Sequence, residues 1–290
     1  MLIPFAPGGG TDIIGRIVGQ KLSERWPYPV VIDNRPGAGN TVGTELTAKA
    51  VPDGYTIEAV SMSHALNVWL YRKLPYHPIN DFSPVILLVT APNILVVHPA
   101  VSAQSLKELI ALARGKPGKL NFSSSGVGAV SHLSAQLLCA VAGIDMVHIP
   151  YKGAGPAMTA LLAGEVQVMM ATAPVALSQM KANRIRALAI SSLKRSALAP
   201  ALPTIAESGF PGFQTDTWYG VLAPARTPAA IVARLNADIA RVLEAQEVKT
   251  LLEQQGAQPA GGSPAEFRAF LQSEIEKWGK AIKAAGIEPA

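Results

Sequence analysis

Cysteine is almost absent from this sequence, since Cys139 is the single cysteine among 290 residues. An internal disulfide is therefore impossible, and a metal site built from cysteine thiolates has too few ligands. Cys139 lies in the apolar stretch HLSAQLLCAVAG, which predicts an inert thiol on a buried helix face. We also predict no metal site at the histidines, because neither H-x-x-x-H nor H-E-x-x-H occurs among His64, His77, His98, His132 and His148.

Charged and aromatic residues are also scarce, at 16% and 6% of the chain. No cluster of lysine and arginine carries interleaved aromatics, so the composition argues against a nucleic-acid partner. The net charge of +5 is a mild excess that suits anionic ligands. Hydrophobic residues make up 49% of the chain, which is enough for sizeable cores and excludes a disordered protein.

Long apolar runs are missing as well. The longest apolar region, 85–97, is interrupted by Thr90, Pro92 and Asn93, and it falls short of the ~18 apolar residues of a membrane-spanning helix. No signal peptide is recognisable at the start, where the sequence opens directly in a predicted strand. We therefore expect an upstream segment that was removed or that precedes this sequence.

Known catalytic and nucleotide-binding motifs are not found. The sequence has no G-x-S-x-G nucleophile elbow and no G-x-x-x-x-G-K-[ST] loop, and G-x-G-x-x-G is absent from 7–16. Ser123 to Ser125 precede His132, but no orienting carboxylate accompanies them, so a nucleophile and base are not supported. We predict that the protein is not an enzyme and has no cofactor.

Two loops of small residues are the main positive signal. The first, PFAPGGGTD, places Gly8, Gly9 and Gly10 directly before a helix whose apolar residues recur at i, i+3 and i+4. The second, 123–128, reads SSSGVG and also leads from a strand into a helix. Helix N-termini expose N–H groups that bind anions, and glycine lets a carboxylate approach them. The pair predicts a cleft with a helix N-terminus aimed in from each half, while each loop alone is equally typical of a helix cap. Asp12 is most simply an acid favoured by the helix dipole, with ligand contact secondary.

Strand, loop and helix alternate along most of the sequence, which predicts an α/β fold with a mostly parallel sheet. Capping boxes of the form S-x-x-E predict helix starts at 105–108 and 263–266. Strands are predicted at 29–33, 55–60, 166–171 and 185–191. Two halves can be outlined, with links near 95 and near 220. We predict that lobe 1 comprises 1–98 and 222–290, that lobe 2 comprises 99–221, and that the hinges lie near 95–100 and 218–224.

Residues that follow predicted strands are further candidates, because ligands of open α/β sheets bind at the carboxyl ends of strands. Ser63, His64 and Asn67 follow the strand at 55–60, and the alternative is a loop with a capping serine. Tyr151 and Lys152 lie at the end of another strand, where the alternative is a solvated lysine.

Taken together, the motifs resemble the Bug, or TctC-like, family of extracytoplasmic solute receptors of tripartite tricarboxylate transporters. The resemblance covers essentially the whole chain and rests on PFAPGGGTD (4–12), NRPGAGNTVG (34–43), PDGYT (52–56), HALN and LYRKLPYHPINDFSPV (64–85), GKLNFSSSGVG (118–128), HIPYKGAGPA (148–157), LPTIAESGFPGF (202–213), and EF, W and AGI (266–287). It implies a periplasmic two-lobed binding protein of the Venus flytrap, type II-like form, with a mixed sheet flanked by helices in each lobe.

The resemblance also implies the ligand, which is a small carboxylate: a tricarboxylate, a dicarboxylate, an acidic amino acid, an aromatic acid or a nicotinate-like compound. The family grips it largely through backbone amides, helped by ordered water. Many relatives have an acidic residue near Ala171 or Thr172, and this sequence has none there, which weakens an amino-acid ligand. The ligand-binding residues that we predict are Phe5, Pro7, Gly8, Gly9, Gly10, Thr11, Asp12, Ser63, His64, Asn67, Ser123, Ser124, Ser125, Gly126, Gly128, Tyr151, Lys152, Gly153, Thr172, Asp216 and Trp218.

The predicted function is therefore that of a periplasmic receptor, expected to be a monomer, which captures a small organic acid and delivers it to the permease subunits of a tripartite tricarboxylate-type transporter. The alternative is a receptor of the same fold that passes the signal of ligand binding to a sensory partner. An enzyme that acts on carboxylates is a third possibility, which the missing catalytic motifs disfavour.

Overall fold

The computed structural model describes residues 1–196, 199–284 and 289, so the AGI triplet at 285–287 lies outside the described residues. The strands are β1 (Leu2–Ile3), β2 (Asp33–Asn34), β3 (Glu58–Ser61), β4 (Phe82–Ala91), β5 (Asn93–Val97), β6 (Asn121–Ser124), β7 (Val147–Pro150), β8 (Val168–Thr172), β9 (Arg186–Ile190), β10 (Thr217–Pro224) and β11 (Gln258–Gly261). The α-helices are α1 (Gly10–Ser23), α2 (Thr41–Ala48), α3 (Ser63–Leu70), α4 (Leu106–Gly115), α5 (Val130–Ala142), α6 (Ala154–Leu162), α7 (Ala173–Lys181), α8 (Ala229–Glu244), α9 (Gln246–Gln254) and α10 (Pro264–Ala284).

The strands form two mixed sheets, which confirms the predicted two-lobed α/β fold. The mostly parallel sheet expected from the alternation of strands and helices is wrong, because β10 and β5 each run antiparallel to both of their neighbours. The first sheet has the order β11-β4-β10-β3-β1-β2, and the second has the order β7-β6-β8-β5-β9. In the first sheet β1 is parallel to β2 and β3, whereas β10 runs antiparallel to β3 and β4. In the second sheet β6 is parallel to β7 and β8, whereas β5 runs antiparallel to β8 and β9. We refer to the parts built on these sheets as the first and the second lobe.

The chain changes sheets twice. It leaves the first sheet at Pro92, between β4 and β5, and it returns between the end of β9 at Ile190 and the start of β10 at Thr217. β5 thus belongs to the second sheet and β10 to the first. The lobe boundaries predicted at 98–99 and 221–222 lie a few residues after these two changes of sheet. They describe lobes that move as units, which stays a prediction.

The helix starts follow the sequence closely. The Ser105 hydroxyl accepts a hydrogen bond from the Glu108 N–H at 3.2 Å and so caps α4. At the start of α10 the exchange is reciprocal, because the Glu266 N–H donates to the Ser263 hydroxyl at 3.2 Å and the Ser263 N–H donates to the Glu266 carboxylate at 2.7 Å. Both predicted capping boxes are confirmed.

Two strands are shorter than predicted. The strand expected at 29–33 covers only Asp33–Asn34, and the strand expected at 55–60 covers Glu58–Ser61. Both strands lie beside β1 and form hydrogen bonds with it. Before β1 begins, the Met1 ammonium donates to the Val31 carbonyl at 2.6 Å. A strand requires a paired neighbour as well as a suitable sequence, which is why pattern alone overestimated both lengths.

Each sheet is covered by helices on both faces. In the first lobe, α1 and α8 cover one face and α3 and α10 the other, and in the second lobe α4 and α5 pack opposite α6 and α7. Cys139 is a buried free thiol in the second lobe, as predicted, and burial raises its pKa to about 11. Among the described helices, none combines the length and the apolar character needed to cross a membrane.

Candidate functional site

The glycines of the first loop face a second glycine-containing loop across the boundary between the lobes. A Cβ on Gly155 would lie 2.4 Å from the Pro7 carbonyl oxygen, and a Cβ on Gly8 would lie 3.8 Å from the Gly155 Cα atom. Gly153 is equally close to the first lobe, where its Cβ would lie 3.1 Å from that of Ala6. We call this contact of Ala6–Gly8 with Gly153–Gly155 the first seam. Backbone meets backbone here, so the lobes are closed on each other.

Three helix N-termini converge near the first seam. α1 begins at Gly10 and α6 at Ala154, and neither helix has a side-chain cap. α7 begins after Thr172, whose hydroxyl would lie 2.9 Å from a Cβ on Gly10 and does not cap its own helix. Each helix N-terminus carries a partial positive charge, so the three together create an environment that favours an anion. At α7 this contribution is mainly the dipole, because the Ala173 N–H already donates to the Pro92 carbonyl at 3.0 Å and Pro174 has no N–H.

Asp12 stabilises the first loop from beneath. Its side chain is 3% exposed and accepts hydrogen bonds from the Gly8 N–H at 3.0 Å, from the Asn34 amide at 2.9 Å and from the Arg16 guanidinium at 2.9 Å. Burial by itself would raise the pKa of Asp12, but the bonds from Arg16, Gly8 and Asn34 outweigh it and lower the pKa. The carboxylate is thus committed to holding the loop in shape.

The hydroxyl groups of the second loop also have partners inside the protein. The Ser123 hydroxyl donates to the Ala157 carbonyl at 3.2 Å, and Ser124 is bonded to the His148 Nε2 atom at 2.6 Å. Ser125 lies 3.1 Å from the hydroxyl of Ser131. The serines were predicted to donate to a ligand, but the geometry favours a role in shaping the loop, because Ser123 and Ser124 have already used their protons.

A pair of stacked histidines lies behind the second loop. The rings of His132 and His148 are 3.8 Å apart between centroids, and the Gly128 N–H donates to His132 Nδ1 at 3.1 Å. Burial lowers the pKa of His132 to about 3, with His148 contributing, and burial lowers the pKa of His148 to about 4. Both rings are therefore neutral near pH 7. The sequence placed them correctly on a helix and a strand but contained no sign that they would meet.

The loop of the NRPGAGN motif forms a second contact between the lobes, which sequence analysis did not include in the site. Ala38 and Asn40 have positive φ angles of 42° and 89°, a strained conformation for residues with a side chain. The Asn67 amide holds the loop by donating to the Gly39 carbonyl at 2.9 Å and to the Asn40 side chain. A Cβ on Gly39 would lie 3.1 Å from the Val127 carbonyl, and we call this contact the second seam. The Asn67 side chain thus positions this loop, and its predicted contact with the ligand stays a prediction.

The floor between the lobes is formed by buried hydroxyl groups. Thr172 belongs to the second sheet, whereas Thr217 and Tyr219 belong to β10 of the first sheet. A Cβ on Gly10 would lie 2.1 Å from the Tyr219 hydroxyl. We call Thr172, Thr217 and Tyr219 the hydroxyl floor. Thr172 was predicted as a site residue, but the other two were not.

Several predicted ligand contacts lie outside the cleft. Trp218 donates to the Glu274 carboxylate at 3.0 Å within the core of the first lobe. His64 is fully buried between Tyr76 and Phe82, and its Nε2 atom lies 2.8 Å from the Pro78 carbonyl. These partners give both side chains a structural role.

The side chains of four further predicted residues are placed as follows. The Lys152 side chain is exposed to solvent, whereas Phe5 packs in the core of the first lobe. Tyr151 approaches the second loop through its backbone, since its N–H donates to the Ser124 carbonyl at 3.0 Å. Ser63 is the buried first residue of α3.

Asp216 lies where the chain returns to the first sheet, and it takes part in a hydrogen-bonded link between the two passages. The Asn93 N–H donates to the Ser191 hydroxyl at 2.8 Å, and the Ser191 hydroxyl donates to the Asp216 carboxylate at 3.2 Å. The Asn93 side-chain amide donates to the Thr215 carbonyl. This set of bonds joins both connections between the sheets at one place, and Asp216 is part of it.

Comparison with known proteins connects this architecture to a family. The family model described as the tripartite tricarboxylate transporter family receptor matches residues 14–287. The chain is 37% identical over 290 residues to Protein BugT of Bordetella pertussis, which covers 99% of this chain and 89% of that protein.

Solved structures show the same fold. A Rhodopseudomonas palustris protein solved with adipate superposes with a TM-score of 0.97 at 37% identity, covering 100% of this chain and 97% of the other. MatC from Rhodopseudomonas palustris, solved with bound malate, superposes with a TM-score of 0.92 at 33% identity, covering 97% of each chain.

Proposed function

The chain belongs to the tripartite tricarboxylate transporter receptor family, and from this premise we propose that it is a periplasmic receptor that captures a small carboxylate between its two lobes. The lobes close over the ligand, and binding proceeds without chemical turnover. The closed receptor then delivers the acid to the permease subunits of a tripartite tricarboxylate-type transporter. Two similar solved proteins are described as a periplasmic transporter and a periplasmic binding protein, which supports this location.

The convergence of the N-termini of α1, α6 and α7 is the observation that carries the proposal. Three like partial charges that approach one another repel, and an anion placed among them converts this repulsion into attraction. Asp12, the acid nearest to the first loop, is neutralised by Arg16 at 2.9 Å and so does not compete for the N–H groups. A carboxylate therefore stabilises the closed form, and closure in turn removes the carboxylate from water.

The chemistry of the floor favours an acid without an ammonium group. At the position where many relatives carry an acidic residue, this chain has Ala171 and Thr172, and a bound ammonium would find no carboxylate to pair with there. Relatives solved with adipate and with malate hold dicarboxylates that lack an ammonium group. We propose that this receptor prefers plain organic acids over acidic amino acids.

We propose that the moving units are those defined by sheet membership. Residues up to Pro92 and from Thr217 onward would form one unit, and the residues between them would form the other. The boundaries predicted from sequence differ from this division by a few residues. A receptor that signals to a sensory partner would close in the same way. Transport and sensing would then differ only in the partner protein that binds the closed form.

The direct test measures thermal unfolding and calorimetric binding with glutarate, adipate, malate and citrate, after unfolding and refolding have removed any bound ligand. An acid at ~100 times its dissociation constant should stabilise the protein by about 2.7 kcal/mol, which raises the Tm by several degrees. Glutarate and glutamate form a matched pair that differs only in the ammonium group, and glutarate should bind more tightly. Adipamide, which has the length of adipate without its charge, is the negative control. If no acid shifts the Tm of a cooperatively folding protein, the proposal is wrong.

A further inference from the structure

Three buried hydroxyl groups in the cleft have no hydrogen-bond partner among the described residues other than one another. They are Thr172 Oγ1, Thr217 Oγ1 and the Tyr219 hydroxyl, in side chains that are 7%, 1% and 2% exposed. Burial raises the pKa of Tyr219 to about 12, and the nearby hydroxyls of Thr172 and Thr217 oppose that rise. The three oxygen atoms thus lie close together and are neutral donors at any physiological pH.

Their position relates them to the ligand cleft. The Tyr219 hydroxyl reaches Gly10, the first residue of α1, and the Thr172 hydroxyl lies beside the same residue. Thr172 comes from the second lobe and the other two from the first. Thr217 pairs with Ala91 and Thr172 with Asn93, so the group lies at the crossover between the two sheets. Two helix N-termini, those of α1 and α7, end at this point.

Buried hydroxyl groups without partners are unfavourable, and native proteins almost always satisfy them. Thr172 could have capped α7 with its hydroxyl, as Ser105 does for α4, but it does not. Thr217 and Tyr219 are neighbours on one face of β10, two residues apart, so the strand presents both hydroxyls to the same place. Three neighbouring hydroxyls whose only partners are one another, at two helix N-termini, can donate to an anionic oxygen atom instead.

We propose that Thr172, Thr217 and Tyr219 form a subsite in which their hydroxyls donate hydrogen bonds to one carboxylate group of the ligand at the N-terminus of α1. This inference rests on the proposed function and specifies which side chains bind the carboxylate. The subsite contains no charged side chain, so it binds the carboxylate through neutral donors and helix dipoles.

The test compares Tyr219→Phe and Thr217→Val with the unchanged protein. Each substitution removes one hydroxyl and keeps a side chain of similar size. Because that hydroxyl has no partner outside the floor, its loss leaves no other buried polar group unpaired, so the fold should persist. The dissociation constant of the tightest acid should rise about tenfold or more in each variant, the usual effect of losing a hydrogen bond to a charged group. The Tm of the ligand-free protein should stay nearly the same, because the hydroxyl that is removed has no partner outside the hydroxyl floor.

Ser134→Ala is the matched control. Ser134 is fully buried in α5 and its hydroxyl also lacks a partner among the described residues, but it lies within the helix instead of at the floor. This variant should bind the acid as the unchanged protein does. The inference is overturned if both floor variants keep the original dissociation constant, or if their weaker binding is matched by an equal loss of ligand-free stability. If the unchanged protein itself binds no carboxylate, the proposed function fails first and the subsite fails with it.

Discussion

The carbonyl oxygen of Pro7 stands where a side chain at residue 155 would begin, since a Cβ on Gly155 would lie only 2.4 Å away. The two residues belong to different lobes, so we expect their contact to be lost when the cleft opens. A backbone oxygen cannot move aside as the end of a flexible side chain can. A side chain at residue 155 should therefore be accepted in an open form and should clash with Pro7 in the closed form.

Gly155→Ala should weaken ligand binding without unfolding the protein. The added methyl group has no neighbour when the lobes are apart, but it prevents the first seam from forming, so the dissociation constant of the acid should rise at least about tenfold if closure contributes as much as ~1.4 kcal/mol to binding. Isothermal calorimetry measures the affinity, and thermal unfolding of the ligand-free variant measures stability. Gly115→Ala is the control, because a Cβ at that position meets no atom within 4 Å. Unchanged affinity in Gly155→Ala would show that binding does not require this closed form.

Asp12→Asn should lower both stability and affinity. The change removes the charge that holds Arg16 and the Gly8 N–H, and the lost hydrogen bonds to a buried charged group should cost about 2 kcal/mol at pH 7. The pKa of Asp12 is lowered in the folded protein, so its contribution is present above its ordinary pKa of 3.8 and is lost as the pH falls through the lower folded value.

The Tm difference between Asp12→Asn and the unchanged protein should accordingly be large at pH 7 and should shrink below pH 3.8, the ordinary pKa of this carboxyl. Asp145→Asn, at an exposed position, is the matched control and should show a small difference at every pH. A Tm difference for Asp12→Asn that does not change with pH would contradict the assigned role of the charge.

The histidine pair should make the second lobe sensitive to acid. In the folded state the pKa of His148 is lowered to about 4 from its ordinary value of 6.5, so the unfolded chain binds a proton first as the pH falls. The free energy of unfolding should therefore decrease between pH 6.5 and pH 4. His148→Asn, which can still bond to Ser124, should reduce this decrease.

Thermal unfolding at several pH values between these limits measures the effect of His148→Asn. The same substitution at His77, an exposed histidine, is the control and should leave the pH dependence as it is in the unchanged protein. Equal slopes for the unchanged protein and His148→Asn would show that the buried ring does not control acid stability.

Local features were predictable from the sequence because they depend on neighbouring residues. The helix after Gly10 and the capping boxes at Ser105 and Ser263 need only a few adjacent side chains, and all three are found in the structure. The two-lobed α/β fold followed from the alternation of strands and helices and from the family resemblance. The lengths of β2 and β3 did not follow, because a strand ends where its partner ends.

The side chains of the site were harder to predict, since their roles depend on distant partners. Trp218 and Tyr219 are adjacent in sequence, yet one donates to Glu274 in the core and the other reaches Gly10 at the cleft. Which of the two faces the cleft is decided by the register of β10 between β3 and β4. The sequence similarly predicts a Ser124 hydroxyl that is available to a ligand, because it gives no sign that His148 lies within 2.6 Å of it in the fold.

The link from Asn93 through Ser191 to Asp216 has a consequence for how ligands are sorted. Because both connections between the sheets are joined at one place, we expect the lobes to rotate as rigid bodies about a single axis. One rotation then closes the first and the second seam together. An acid too long for the cleft should keep both seams apart, so we expect affinity to fall sharply once the length of the acid exceeds that of the closed cleft.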